Sequence, residues 1–259
     1  MGREYNEKIF RESMSLCRTD PELMESIRRS LETQFFVSSG ETVSVPSRGK
    51  FSTSVRVTDE RSFQAAEGLA GKTCVLNFAS FRNPGGGVKN GSSAQEESLC
   101  RISTLYPCLS SEKADRLFYS PHKNQDSCLY NSDLIYTPGV TIFRKDDSEM
   151  ALLPPEKRYS ADVVTCAAPN LSSKSLSVKE QYGIHRERIG RIMSVAADSG
   201  AESLVLGAFG CGVFRNDPAA VAEASKDALS EHEGCFREVV FAIYGSGENL
   251  DAFRSELGR

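Results

Sequence analysis

The feature that most constrains this chain is a run of three glycines between a strand-like and a helix-like segment. Gly85–Gly87 follow the apolar run Cys74–Ala79 and precede Gln95-Glu96-Glu97, where a helical pattern begins that continues to Leu109. Glycines adopt positive φ and let the backbone approach a ligand closely. The N–H groups of such a loop, near a helix N-terminus, bind anions. Two carboxylates beside an anion site are unusual for simple phosphate binding, so the pattern indicates a site that carries out a reaction.

The glycine loop differs from two common phosphate motifs. A P-loop requires lysine after its last glycine, whereas Gly91 is followed by Ser92. A dinucleotide fingerprint requires a third glycine at the position of Asn90. A tight strand-to-helix turn is the structural alternative, although three consecutive glycines exceed what such a turn needs.

The two glutamates have different structural alternatives. Ser93 and Glu96 are spaced as a capping box, with Ser93 as the N-cap and Glu96 at the third helical position. This spacing does not account for Glu97, which lies at another azimuth of the helix. A helix N-terminus lowers the pKa of a carboxylate, whereas burial and a neighbouring carboxylate raise it. The sequence leaves open which effect dominates.

The second half of the chain alternates helices with short apolar strands. This alternation favours a mostly parallel sheet between two layers of helices, in which ligands bind beyond the carboxyl ends of the strands. The predicted strands are 163–168, 204–206 and 239–243, and the predicted helices are 178–197, 218–229 and 249–257.

The first half is less regular. Residues 4–37 show helical periodicity broken at Asp20-Pro21. The other predictions are a strand at 42–45, a helix at 59–69 closed by Gly71, and an irregular section at 110–160 with short strands at 134–136 and 140–144.

A second glycine-rich loop, Gly207–Phe214, also directly follows a predicted strand. Its backbone amides precede a helix opened near Pro218, which suits a diphosphate, and Phe209 and Phe214 could stack on a sugar or base. The structural alternative is a flexible turn with a core phenylalanine. Cys211 is a poor nucleophile candidate because none of the three histidines is identifiable as its base. The two glycine-rich loops are predicted to line one crevice.

Composition narrows the functional classes. A formal charge of −4 and a pI near 5.6 give no global basic field, which disfavours binding of bulk duplex nucleic acid. Eight scattered cysteines without a C-x-x-C pair, and only three histidines, disfavour structural zinc and indicate a reducing, intracellular setting. No apolar run approaches the roughly 20 residues of a membrane span, and the first residues lack a secretory or myristoylation pattern.

Taken together, these residues resemble the bacterial-type poly(ADP-ribose) glycohydrolases, a catalytic branch of the macrodomain fold. The family signature is a triple glycine, six to eight residues, and Gln-Glu-Glu. Here seven residues, Val88–Ala94, separate Gly87 from Gln95. The matching context is Asn77–Ser80 before the first loop and Gly207–Phe214 after it, and the likeness extends over nearly the whole chain.

The resemblance implies a three-layer α/β/α macrodomain-like catalytic domain at 41–259, with an N-terminal helical extension at 1–40 packed on it as one globular unit. It implies exo-acting hydrolysis of the ribose–ribose bond of poly(ADP-ribose), with no metal and no cofactor. Glu97 would be the single acid/base residue, and Glu96 would hold ribose hydroxyls. The substrate contacts implied are Asn77, Asn83, Gly85, Gly86, Gly87, Val88, Gln95, Gly207, Ala208, Phe209, Gly210, Cys211, Gly212, Val213 and Phe214.

Two alternatives stay open at this point. A hydrolase of mono-ADP-ribose on proteins, nucleic acids or small molecules would have the same distal pocket, whereas a non-catalytic ADP-ribose reader would not need Glu97. The expected partners are poly(ADP-ribose), ADP-ribose and ADP-ribosylated proteins, with no membrane, and the expected form is a cytoplasmic monomer. Tyr244, Asn249 and Phe253 are candidates for contacting adenine.

Overall fold

A seven-stranded mixed sheet forms the centre of the molecule. The computed structural model describes residues 2–45, 49–123, 125, 127–245 and 247–258. The strands within these residues are β1 (Phe35–Val37), β2 (Ser54–Thr58), β3 (Thr73–Phe78), β4 (Leu134–Ile142), β5 (Tyr159–Cys166), β6 (Ser203–Leu206) and β7 (Glu238–Ala242). Their order across the sheet is β1-β4-β5-β3-β6-β7-β2. Pairing is antiparallel at β1–β4 and β4–β5 and parallel at every other step, so the predicted mostly parallel sheet is confirmed.

Helices cover both faces of this sheet. Within the described residues they are α1 (Arg3–Thr19), α2 (Pro21–Thr33), α3 (Ser62–Ala66), α4 (Gln95–Ile102), α5 (Leu105–Leu109), α6 (Glu112–Ala114), α7 (Ser120–Lys123), α8 (Val178–Asp198), α9 (Pro218–Glu231) and α10 (Glu248–Leu257). Side chains alternate across a strand, so Val75 packs in one core with α1–α5, whereas Cys74 and Leu76 pack in the other with α8–α10. The result is the three-layer arrangement that the sequence predicted.

The N-terminal residues follow the prediction except at their end. Asp20 caps α2 by accepting hydrogen bonds from the backbone of Glu22 and Leu23, at 3.0 and 3.3 Å. The predicted helical region to residue 37 is wrong at its end, because Phe35–Val37 pair with β4 as an edge strand. Packing against a neighbouring strand here overrides the helical periodicity. The domain boundary at residue 40 stays a prediction.

One predicted strand is absent and one observed strand was not predicted. Residues 42–45 form no strand. The strand at the edge opposite β1 is β2, which pairs in parallel with β7 and which the sequence did not reveal because its residues are half-exposed. The predicted helix at 59–69 shortens to α3 after this strand.

The irregular middle section contains more order than expected. The two strand candidates at 134–136 and 140–144 are one strand, β4, whose register shifts between Thr137 and Val140. Pro138 and Gly139 form this irregularity, with Gly139 at φ +64°, and Pro is tolerated in a sheet at such a position. The helix predicted to run to Leu109 breaks at Ser103–Thr104 into α4 and α5.

Five parallel strands direct their carboxyl ends toward one edge of the sheet. In spatial order these strands are β5, β3, β6, β7 and β2. The first glycine-rich loop follows β3 and the second follows β6. The topology therefore brings both loops to the same edge, together with the chain segments after β7 and β2.

Candidate active site

A cleft of about 960 Å³ lies at this edge. It is lined by Glu60, Arg61, Ser62, Phe78, Ser80, Asn83, Pro84, Gly86, Gly87, Lys89, Asn90, Ser93, Ala94, Gln95, Glu96, Glu97, Ser98, Leu99, Tyr106, Asp146, Ala208, Gly210, Gly212, Val213, Phe214, Ala242, Ile243, Tyr244 and Asn249. Both glycine-rich loops contribute, as the sequence predicted. The volume lies within the range typical of ligand pockets.

The first glycine turn is shaped by close contacts and by backbone conformation. Gly85 and Gly86 have φ of +68° and +56°, a region that disfavours residues with a Cβ. A Cβ on Gly86 would lie 2.6 Å from Glu97 Oε1, and one on Gly85 would lie 2.7 Å from the Tyr106 ring. The absence of side chains at these positions lets the turn close over the glutamate.

Glu97 lies directly beneath the turn. Its Oε1 accepts a hydrogen bond from the backbone N–H of Gly87 at 2.9 Å. The residue is 8 % exposed and lines the cleft. A carboxyl group held by the backbone at a cleft wall is fixed in position and still reachable by a ligand.

Glu96 is held more deeply. It is 3 % exposed, and its oxygens accept hydrogen bonds from the Ser80 backbone N–H at 2.7 Å and from Asn77 Nδ2 at 3.3 Å. Burial, together with the neighbouring charge of Glu97, raises the pKa of Glu96 to about 8. Burial therefore outweighs the helix N-terminus and the hydrogen bonds, which act in the opposite direction.

The capping box predicted at Ser93 is wrong. Helix α4 begins at Gln95, with Ala94 as the N-cap residue and no side-chain cap. Gln95 and Glu96 instead bond the end of β3, with Gln95 Oε1 accepting from the Phe78 N–H at 2.8 Å. The Gln95 amide also donates to Leu76 O at 2.7 Å and to Ser62 Oγ at 3.0 Å. Gln95 therefore stabilises the cleft wall through hydrogen bonds to neighbouring protein groups.

The second loop is held by a buried asparagine. Asn216 Nδ2 donates to the carbonyls of Gly210 and Pro169 at 2.9 and 2.8 Å. Asn216 Oδ1 lies 2.9 Å from Nε2 of the buried His185, which therefore donates to it. Burial lowers the pKa of His185 to about 4, so this histidine is neutral at physiological pH. The network fixes the loop backbone beside the cleft.

The predicted residues of the second loop divide into two groups. Ala208, Gly210, Gly212, Val213 and Phe214 line the cleft. Phe209 is buried and packs against Phe78, with their ring centroids 5.7 Å apart. Burial raises the pKa of the Cys211 thiol to about 12. Neither residue lines the cleft, nor does Gly207, at which a Cβ would lie 2.5 Å from Ala242 O.

Seven other predicted residues lie in or near the cleft region. Asn77 is buried beneath Glu96, and Val88 is buried in the core next to the glycine turn. Gly85 and these two residues support the cleft without lining it. Phe253 packs against Phe241, with ring centroids 5.6 Å apart, so its prediction as an adenine contact is wrong. Asn83, Tyr244 and Asn249 line the cleft, and their contacts with substrate stay predictions.

One end of the cleft was not predictable from the sequence, because it follows β2, a strand that the sequence did not reveal. Glu60, Arg61 and Ser62 follow that strand and line the cleft. The Arg61 guanidinium lies 4.1 Å from the centroid of the Tyr244 ring, and Tyr244 is 65 % exposed. A cation over an exposed aromatic ring indicates a ligand contact. This pair could be recognised only with β2 paired beside β7.

The middle section contributes an aromatic stack that joins the two loops. Phe81 is sandwiched between the rings of His122 and Tyr130, at centroid distances of 3.7 and 4.2 Å. Tyr130 also meets Phe214 edge-on at 6.2 Å. His122 Nε2 lies 2.8 Å from Asp133 Oδ2. Residues of the 110–160 section therefore pack against both walls of the cleft.

The N-terminal helix reaches the first loop. Asn6 on α1 is 4 % exposed, and its Nδ2 donates to Gly91 O at 2.9 Å. Phe10 packs edge-on against Tyr106, at 4.9 Å between centroids. These contacts fix the far end of the turn that holds Glu97.

Among the described residues, no cluster of three or more His, Cys, Asp or Glu side chains could hold a metal ion. No helix within the same ranges is long and apolar enough to cross a membrane.

The fold and the cleft define the class: a three-layer α/β protein of macrodomain type whose ligand cleft contains two buried glutamates. The chain belongs to the microbial-type poly(ADP-ribose) glycohydrolase (PARG) family, because the family described as "Microbial-type PARG, catalytic domain" matches residues 8–145. No curated protein matches the chain.

Solved structures give the same result over almost the whole length. The poly(ADP-ribose) glycohydrolase of Thermomonospora curvata bound to the inhibitor ADP-HPD is 31% identical with a TM-score of 0.84, over 97% of this chain and 99% of that one. The enzyme of Deinococcus radiodurans in complex with ADP-ribose is 39% identical with a TM-score of 0.73, over 92% of each chain. These matches confirm the predicted family and fold.

Proposed function

We propose that this protein hydrolyses the ribose–ribose O-glycosidic bond of poly(ADP-ribose) and releases ADP-ribose from the chain end. The observation that carries the proposal is Glu97, whose Oε1 is fixed 2.9 Å from the Gly87 N–H at the wall of the cleft. The family match and the ADP-ribose bound to the Deinococcus enzyme support the same substrate.

The order of the strands sets the orientation of the substrate. Neighbouring strands lie about 4.8 Å apart, so the end of β2 lies roughly 14 Å from the end of β3, three strands away. The aromatic and cationic pair Tyr244 and Arg61 suits adenine at the β2–β7 end. The backbone amides of the Gly210–Phe214 loop suit the diphosphate after β6. The distal ribose then lies under the glycine turn, within reach of Glu97.

Glu97 acts first as a general acid and then as a general base. The two glutamates share one proton, and Glu97 passes it to the 2′-oxygen of the leaving ribose as the glycosidic bond breaks and positive charge develops at the anomeric carbon. Water then adds to that carbon, and its proton returns to Glu97. Glycosidases commonly use two separated carboxylates; here a single residue serves in both steps.

Glu96 holds the hydroxyl groups of the distal ribose in this proposal. A pKa of about 8 keeps Glu96 mainly protonated at pH 7. The buried pair then carries less negative charge beside a diphosphate than two ionised carboxylates would. A protonated carboxyl group can also donate a hydrogen bond.

The test compares Glu97→Gln and Glu97→Ala with the unchanged protein. Release of ADP-ribose from the polymer should fall by at least a thousandfold in both variants, whereas calorimetry should show ADP-ribose binding retained. Glu231→Gln is the control, because Glu231 pairs with Arg186 and does not line the cleft. Normal turnover by Glu97→Ala would refute the assignment.

Further arms distinguish related functions. Parallel assays with polymer and with mono-ADP-ribosylated protein identify the preferred substrate, which we propose is the polymer. EDTA should leave the rate unchanged, because the proposed mechanism uses no metal. Sedimentation analysis should show a monomer.

A further inference from the structure

The cleft lining includes a cationic residue to which the proposed function assigns no role. Lys89 lies on the 3₁₀ turn Val88–Asn90, directly after the glycine turn. It is exposed and lines the cleft together with Asn90, Ser93 and Tyr106. Its Nζ lies 5.7 Å from the centroid of the Tyr106 ring, within the range of a cation–π contact.

The Lys89 turn has a defined position. Its C-cap residue Gly91 has φ +70°, and the Gly91 carbonyl accepts the hydrogen bond from the buried Asn6. Tyr106 itself packs against Phe10. The backbone that carries Lys89 is therefore anchored on the N-terminal helix.

The charges of the cleft lining are unevenly distributed. Among its described residues the cationic side chains are Arg61 and Lys89. Arg61 follows β2 and lies over Tyr244, whereas Lys89 belongs to the segment after β3. Within the ranges that the structure describes, Lys89 forms no ion pair with a carboxylate. Its charge remains available for an anionic ligand.

We propose that Lys89, with Asn90, Ser93 and Tyr106, binds the penultimate ADP-ribose unit of the polymer, with the ammonium group of Lys89 contacting the diphosphate of that unit. The inference rests on the proposed function, which places the terminal unit between the β2–β7 end and Glu97. The leaving ribose must then extend from Glu97 away from that end. The lining groups after the glycine turn are those that the next unit meets.

This site would distinguish polymer from mono-ADP-ribose adducts. A protein side chain as leaving group carries no diphosphate for Lys89, whereas each polymer unit carries one. An exposed lysine contributes an electrostatic attraction that salt screens. The preference for polymer should therefore decrease as the salt concentration rises.

The experiment separates binding from turnover. Lys89→Ala and the control Lys226→Ala each remove one positive charge, and Lys226 pairs with Glu256 away from the cleft. Affinities for free ADP-ribose and for short poly(ADP-ribose) are measured in the Glu97→Gln background at two salt concentrations. KM and kcat for the polymer are measured with Glu97 intact.

We expect Lys89→Ala to weaken polymer binding and raise KM about five- to tenfold at low salt, with less effect at high salt. ADP-ribose affinity should not change, and Lys226→Ala should match the parent in every arm. Unchanged polymer affinity in Lys89→Ala would overturn the inference, as would an equal loss of ADP-ribose affinity. If the protein bound polymer but released no ADP-ribose, the proposed function would fail, while the binding arm would still decide the role of Lys89.

Discussion

Replacing Glu96 by glutamine measures the electrostatic state of the two buried glutamates directly. Burial and the charge of Glu97 disfavour the ionised form of Glu96, whereas its hydrogen bonds favour it. The variant keeps the size and shape of the side chain. The amide oxygen of the new glutamine can still accept from the Ser80 N–H. Asn77 Oδ1 has no hydrogen-bond partner in the described part of the chain. If the Asn77 amide rotates by 180°, this oxygen can accept from the NH₂ group of the glutamine.

The magnitude follows from the pKa of Glu96. A pKa of about 8, compared with 4.5 for an ordinary glutamate, means that the folded protein retains a proton which the unfolded chain loses. Stability contributed by this proton is fully present below pH 4.5 and is lost as the pH rises to about 8. The slope is about 1.4 kcal/mol per pH unit, and the full loss is roughly 5 kcal/mol.

The assay is urea denaturation of the parent and of Glu96→Gln at pH 5, 6, 7, 8 and 9. The free energy of unfolding of the parent should fall relative to that of the variant across this range and level off above about pH 8. In a Glu97→Gln background the fall should end at lower pH, because the like charge has been removed. A difference that is constant with pH, or one that rises, would refute the reasoning and show that Glu96 is ionised in the folded protein.

Three further predictions concern the turn, its anchor and the second loop. Gly86→Ala should reduce turnover about a hundredfold, because its Cβ would lie 2.6 Å from Glu97 Oε1 and displace that oxygen; activity assays on folded protein, verified by circular dichroism, test this. Asn6→Ala and Ser13→Ala each remove one buried hydrogen bond of α1, and each should cost about 1–3 kcal/mol of stability. Only Asn6→Ala should lower kcat, and equal kcat in both variants would contradict the anchoring role. Burial depresses the pKa of His185 from 6.5 to about 4, so the protein should lose up to about 3 kcal/mol of stability as the pH falls through this range; His185→Gln should lose less in acid denaturation.

The Glu97 side of the cleft was predictable because its determinants are local in sequence. Gly85–Gly87 and Gln95–Glu97 form a continuous segment between a strand and a helix, so spacing alone places the turn beside the carboxylates. The error at Ser93 shows the limit of a local rule. The Gln95 and Glu96 side chains bond the end of β3, and Ala94 stays extended with ψ 176°, so the helix starts without the serine cap.

The other end of the cleft depends on pairing that spacing does not reveal. Strand β2 is short and half-exposed at the edge of the sheet, and so it lacks the continuous apolar run of the central strands. Missing it also hid Arg61, which meets Tyr244 only because β2 pairs with β7. The stack of Phe81 on His122 likewise joins residues that are far apart in the chain.

The anchor of the glycine turn lies at a weak point of α1. The N-cap residue Gly2 supplies no side-chain cap, and the Asn6 N–H reaches the Gly2 carbonyl at 3.3 Å. Uncapped first turns open locally at a lower free-energy cost than whole-protein unfolding. Each such opening would release Gly91 while the sheet stays intact. On heating, catalytic activity should therefore be lost before secondary structure, and it should return on cooling as long as only this turn has opened.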